Sequence, residues 1–204
     1  DYADFFRNTQ IEEEDAKEQG LLARSKGKTG FILGRFASED VWAGYRAGKL
    51  NAAQAAAIAD VGRNDDGLQQ LGLQLARQNK NAELIRTTLQ VHKLTRDSAT
   101  ETQGNLFGFD DSAIQESEKT AAAINKIVKG LKDRVLAVRG YLKRPDEAKA
   151  LGLKGDVESI QAEVDQLNEE LARWEQWTTD PELVQRARVE SGLVAEGRDT
   201  TEES

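Results

Sequence analysis

The chain has 204 residues, 38% apolar and 31% charged, with a formal net charge of −8. It has no cysteine, which excludes disulfides, thiolate metal sites and cysteine nucleophiles, and no apolar run approaches the roughly 20 residues of a membrane-spanning helix. Few apolar and many charged residues suit elongated helices with a narrow buried seam.

Prolines stand only at 145 and 181, so long uninterrupted helices are allowed. There is no methionine, which points to a processed product or a fragment of a longer protein. Residues 1–20 carry seven acids and two bases, and Ile11 to Glu18 read as a first helix ended near Gly20. The run Glu12-Glu13-Glu14-Asp15 points around such a helix rather than to one face, so it reads as a solvated acidic surface and not a metal site. Residues 21–50 reverse the balance, with six bases and two acids. Their "GKTG" at 27–30 lacks the earlier glycine and the preceding strand of a phosphate-binding loop, which rejects a nucleotide-triphosphate site.

The same region reads as helix, turn, helix: Ile11 to Leu22, a turn around Arg24 to Gly27, then Lys28 to Phe36. Hydroxyl and basic side chains at the start of the second helix are what contact with phosphates and base edges requires. Gly30 and Gly34 object, at about 1 kcal/mol each relative to alanine inside a helix. Either they let another backbone approach closely, or the segment is a loop.

Ser38 is an N-cap, with Glu39 and Asp40 in the first turn of a helix from Glu39 to Ala47 that buries Val41, Trp42 and Tyr45 and stops at Gly48. Asn51 caps the alanine-rich "AAQAAAIAD", Asp66 caps "GLQQLGLQLARQ", and Asn81 caps "AELIRTTLQVHKL". The last holds the single histidine, His92, which has no partners at ligand spacing and reads as structural. No strand pattern longer than a few residues occurs, so the expected class is all-α: a bundle of short helices over 1–95 followed by a long antiparallel hairpin.

Residues 96–110 read as a polar linker with an aromatic anchor, Phe107 and Phe109, and Asp110-Asp111 capping the next helix. From there apolar residues fall at Ile114, Ala121, Ile124, Val128, Leu131, Val135, Val138 and Leu142, and then at Val157, Ile160, Val164, Leu167, Leu171 and Trp174. Steps of three and four mark a heptad seam in both arms of a coiled-coil hairpin over 111–178. Residues 119–149 hold nine bases and three acids, and 151–204 fourteen acids and five bases. Lys126, Lys129 and Arg134 are therefore expected opposite Glu163, Glu169 and Glu170. Asp180-Pro181-Glu182 starts a short helix within 179–194, and 195–204 reads as a disordered acidic tail.

Residues 11–59, "IEEEDAKEQGLLARSKGKTGFILGRFASEDVWAGYRAGKLNAAQAAAIA", resemble the helical DNA-binding region of ParB-like proteins, in which a helix-turn-helix is followed by a short helix, a "GKL"-type turn and an alanine-rich helix. "TQGNLFGFDDSAIQESEKTAAAINKIVKGLKDRVLAV" is similar to the segment that follows such a region in large polyvalent proteins of phages and conjugative elements. The resemblance covers roughly residues 11–140. It implies a DNA-binding set of Arg24, Lys26, Lys28, Thr29 and Arg35, with Lys49 in the "GKL" turn. The arginine-rich nucleotide motif of the ParB N-terminal domain is absent, so CTP binding is not carried over.

Two functions are then expected of the two halves. The first is a non-enzymatic DNA-binding module of a phage or mobile-element protein, with double-stranded DNA as partner, no cofactor and no metal. It would work in the cytoplasm of a bacterial host or with a virion. The alternative is a helical interaction or scaffold module that meets a protein partner, or itself, through the hairpin. Neither involves a membrane.

Overall fold

The computed structural model describes residues 2–99, 111–143 and 157–193, and these are all-helical, with no strand among them. The order is α1 Tyr2–Thr9, α2 Glu13–Glu18, α3 Ser25–Phe36, α4 Glu39–Arg46, α5 Ala52–Val61, α6 Asp66–Arg77, α7 Ala82–Ala99, α8 Asp111–Leu142, α9 Val157–Glu175, a 3₁₀ turn Trp177–Thr179 and α10 Pro181–Glu190. No helix among the described residues is long and apolar enough to cross a membrane.

The chain divides into two compact units, Asp1–Ser117 and Glu118–Ser204, with the boundary inside α8. The first unit extends past residue 95, where the sequence reading ended it. Helix α7 continues to Ala99, and Ile114 belongs to the first unit's buried core. The rest of the expected linker, with Phe107, Phe109 and Asp110, lies outside the described residues, as does the acidic tail.

The main core of the first unit is built on α5. Ala55 to Ala59 are buried, and the small side chains let neighbouring helices come close. A Cβ at Gly72 of α6 would stand 2.7 Å from Ile58 Cγ1, so glycine is what allows that crossing. Local chemistry sets the helix starts. Ser38 Oγ accepts from the Val41 N–H (3.4 Å), Asn51 and Gln54 form a reciprocal capping box, and Asn81 Oδ1 accepts from the Leu84 N–H (2.8 Å). Asp65, not Asp66, caps α6: its extended backbone aims the carboxylate at the Leu68 N–H, 2.9 Å away, and leaves Asp66 as the first helical residue.

Helix α1 had no counterpart in the sequence reading. It holds its place through Phe6, which is fully buried and meets Phe31 edge-to-face at 5.2 Å, in a second cluster with Ala16 and Leu22. It lies directly on Gly30 and Gly34. A Cβ at Gly30 would fall 2.5 Å from Tyr2 Cβ, and one at Gly34 would fall 2.7 Å from the Ala3 carbonyl oxygen. Close backbone approach is thus the role of these glycines, and 25–36 is a helix, not a loop.

One buried polar side chain ties the first unit together. Gln69 on α6 donates through Nε2 to the carbonyls of Phe36 (2.8 Å) and Gly62 (2.9 Å) and accepts the Ser38 N–H at Oε1 (2.8 Å). It satisfies the end of α3, the cap of α4 and the end of α5 at once, backbone groups that would otherwise be costly to desolvate.

Asp60 holds two arginines, Arg63 (2.8 Å) and Arg86 (2.6 Å). Burial alone would raise its carboxyl, but hydrogen bonds and charge from both guanidinium groups prevail and leave it below its ordinary 3.8. Asp65 is lowered in the same way: burial opposes, while the Leu68 N–H and Arg96 prevail. Depressed carboxylates contribute stability above the unfolded pKa, and that contribution is lost as pH falls through the folded value. Chemical denaturation of the full chain should therefore show a fall in stability once pH drops below 3.8, added to an earlier fall below 6.5 from His92 on α7, whose half-buried ring is held below its ordinary value. Asp60→Asn should be less stable at neutral pH and show a shallower acid decline. An unchanged decline in that variant would show that Asp60 contributes nothing to it.

In the second unit the residues expected to form the seam are buried at some positions and half-buried at others, and the side chains of Leu142 and Val157 lie outside the described residues. Ala121, Ile124, Val135, Val164 and Trp174 are buried, and Val128, Leu131, Val138, Ile160, Leu167 and Leu171 are half-buried. Among the described residues, Lys132 meets Glu175 at 3.2 Å and Arg139 meets Asn168 at 3.3 Å, each joining α8 to α9. The number that rises by seven in α8 falls by seven in α9. The charge pairing expected for Lys126, Lys129 and Arg134 is not the one formed. Glu170 instead accepts from Trp174 Nε1 (3.0 Å) and Arg186 (2.9 Å), with Arg186 stacked 5.3 Å from the Trp174 ring centre. Helix α10 is not a separate appendage. Asp180 caps it, Pro181 opens it, and it buries Leu183, Val184 and Ala187.

Candidate nucleic-acid interface

The helix-turn-helix region is α2, the 19–24 turn and α3. Helix α2 ends at Glu18, as its own stop signal indicated and four residues short of the Leu22 of the helix-turn-helix reading, because Gly20 takes a positive φ of 68°. The Gly20 N–H then reaches the Lys17 carbonyl (2.9 Å) and the Leu21 N–H the Ala16 carbonyl (3.0 Å), the closure that lets glycine stop a helix. Helix α3 starts at Ser25, three residues before the expected Lys28. Its capping position, Arg24, makes no side-chain cap bond.

Most of α3 is covered. Gly27, Gly30, Phe31, Leu33 and Gly34 are buried, and Ile32, Arg35 and Phe36 half-buried. Only the first turn is open, with Arg24, Ser25, Lys26 and Lys28 exposed and Thr29 half-buried. Helical residues turn by about 100° each, so Lys26 and Lys28 leave the axis about 200° apart and flank the tip rather than form one ridge.

The six expected residues are thus not gathered in one place. Arg24, Lys26, Lys28 and Thr29 share the tip of α3. Arg35 is drawn to Glu12 at 2.9 Å, which neutralises it against the acidic segment before α2. Lys49 stands on a different turn, after α4, where Gly48 (φ 70°) closes the helix and the Lys49 N–H bonds the Gly44 carbonyl at 2.9 Å; its side chain is exposed.

Lys28 also lines a cleft of about 490 Å³, floored by Leu22, Phe31 and Ile32, with Lys17 and Arg63 on its walls. Sequence reasoning missed these two cations. Lys17 lay in a helix read as acidic, and Arg63 lay in the "GRNDDG" turn, whose place is set only by tertiary packing. Both are partly neutralised, Lys17 by Glu13 at 2.7 Å and Arg63 by Asp60, with Arg63 also stacked 4.2 Å from the Phe36 ring centre. Hydrogen bonding to Lys17, and then its charge, holds the Glu13 carboxyl below its ordinary value.

His92 is half-buried on α7. Burial first, then the nearby Arg96 charge, lowers its pKa and favours the neutral ring. No three His, Cys, Asp or Glu residues gather as a metal set among the described residues. No protein-family model, curated protein or solved structure matches this chain.

Proposed function

We propose that the first unit binds duplex DNA without catalysis, through the open tip of α3, as the ParB-like module of a phage or mobile-element protein acting in a bacterial cytoplasm. One contrast carries the reading. Arg7, Arg35, Arg46, Arg63, Arg86 and Arg96 are all engaged in ion pairs. Arg24, Lys26, Lys28 and Lys49 are exposed and have no ion-pair partner among the described residues. Arg77 and Lys93 are exposed without an ion-pair partner there as well, but three of the open cations, Arg24, Lys26 and Lys28, share the start of α3, where backbone N–H groups and the helix dipole also favour phosphate.

The burial of α3 gives the proposal its limit. A helix covered along its length offers base edges little more than its first turn, so affinity comes from phosphate and sequence discrimination is weak. The expected result is a low-salt gel shift of any duplex by the full chain, and its loss in Lys26→Glu/Lys28→Glu with helicity unchanged by circular dichroism. A double variant that shifts duplex as well as the wild type would remove the assignment.

For the second unit we propose an antiparallel α8–α9 hairpin that serves protein interaction. The opposed numbering of Lys132–Glu175 and Arg139–Asn168 supports this arrangement.

A further inference from the structure

We infer that the second unit carries a docking groove for a second copy of this chain; the inference rests on the hairpin reading. A groove of about 930 Å³ lies between α8 on one side and α9 with α10 on the other. Ile127, Leu131 and Leu167 line it and are only half-buried in the single chain. Heptad side chains left half-open in a two-helix arm become covered when two such arms close into a four-helix bundle.

The charges around the groove identify the occupant. Lys126 and Arg134 stand on the α8 side and Glu163 and Glu169 on the α9 side, where the two arginines that also line the groove, Arg173 and Arg186, are already held by carboxylates. All four are exposed, and none has an ion-pair partner among the described residues. A uniformly basic or uniformly acidic helix laid in this groove would be attracted by one rim and repelled by the other. A second copy related by a two-fold axis sets its acidic rim on the first copy's basic rim and the reverse, so both mismatches are resolved together. Exposed pairs contribute little each. The apolar floor supplies the affinity and the rims select the partner.

The test is sedimentation equilibrium of the full chain. The wild type should reach twice the 22.5 kDa chain mass as concentration rises. Lys126→Glu/Arg134→Glu and Glu163→Lys/Glu169→Lys should each stay at single-chain mass, and an equimolar mixture of the two should recover the doubled mass with both chains present. A wild type that stays single at every concentration overturns the inference, and so does a mixture that does not recover. The hairpin reading is checked separately in this cysteine-free chain. Arg139→Cys/Asn168→Cys treated with a short bismaleimide should give a crosslink within one chain. If that crosslink forms and the mass stays single, only the docking inference falls; if it does not form, the hairpin reading falls and the docking inference with it.

Discussion

Alanine at position 34 is expected to destabilise the first unit by about 2 kcal/mol, even though alanine is favoured over glycine inside a helix by about 1 kcal/mol. The added Cβ would stand 2.7 Å from the Ala3 carbonyl oxygen, 2.7 Å from Phe6 Cβ and 2.8 Å from the Arg7 nitrogen. Two of these are backbone atoms, so no side-chain rotation relieves the clash and α1 must move away as a body. That exposes Phe6, whose full burial is worth about 1.5–3 kcal/mol. It also pulls on the Arg7–Glu39 and Arg46–Asp4 ion pairs that fasten α1 to α4. The lost burial and strained contacts exceed the propensity gain. Gly140→Ala on α8 is the matched control: nothing lies within 4 Å of its added Cβ, so the same change should leave stability equal or up to about 1 kcal/mol higher. Urea denaturation of both variants reads the difference. Equal stability of Gly34→Ala and wild type would contradict the packing of α1 on α3.

Gln69→Leu should cost more, about 3 kcal/mol, because leucine fills the space but leaves the Ser38 N–H and the Phe36 and Gly62 carbonyls without partners, at about 1–3 kcal/mol for each fully buried group. Two of the three bonds are only part-buried, which keeps the total near the low end of that sum. Gln69→Glu separates the hydrogen bonds from simple packing. A carboxylate can still accept from Ser38 but cannot donate to either carbonyl, so this variant should also be destabilised. If both variants melt like the wild type, water replaces the amide and Gln69 is not the joint between α3, α4 and α5.

What could be read from the sequence was whatever is decided locally. Ser38, Asn51, Asn81 and Asp180 cap the helices they precede because a short polar side chain reaches N–H groups two or three residues on. The residues that α8 and α9 bury in the second unit, Ala121, Ile124, Val135, Val164 and Trp174, were legible from apolar steps of three and four, whereas Ile114, counted with them, belongs to the first unit's core. Ser117, three residues on, is buried too, and its hydroxyl hid it from an apolar count. Asp65 and Asp66 could not be told apart, since the cap is the one whose backbone is extended.

The rest depended on contacts far apart in sequence. Helix α1 is eight residues long and is held by Phe6 and by two glycines some thirty residues away, so neither its existence nor the purpose of those glycines could be read alone. The candidate interface suffered in the same way. A count of six cations over 21–50 says nothing of which ones carboxylates have already claimed. Arg35 is bound to Glu12 and Arg46 to Asp4, whereas the lysines of the α3 tip remain open.

The most direct measurement is a fluorescence anisotropy titration of a labelled duplex with the full chain at 50 and 200 mM salt. Three phosphate contacts, from Arg24, Lys26 and Lys28, release counterions with a slope of about −2.7 in log affinity against log salt, so affinity should fall about 40-fold between the two conditions. The Lys26→Glu/Lys28→Glu chain should bind too weakly at 50 mM salt for a slope to be measured. A wild type that fails to bind at the lower salt, or one whose affinity is the same at both, would contradict the account.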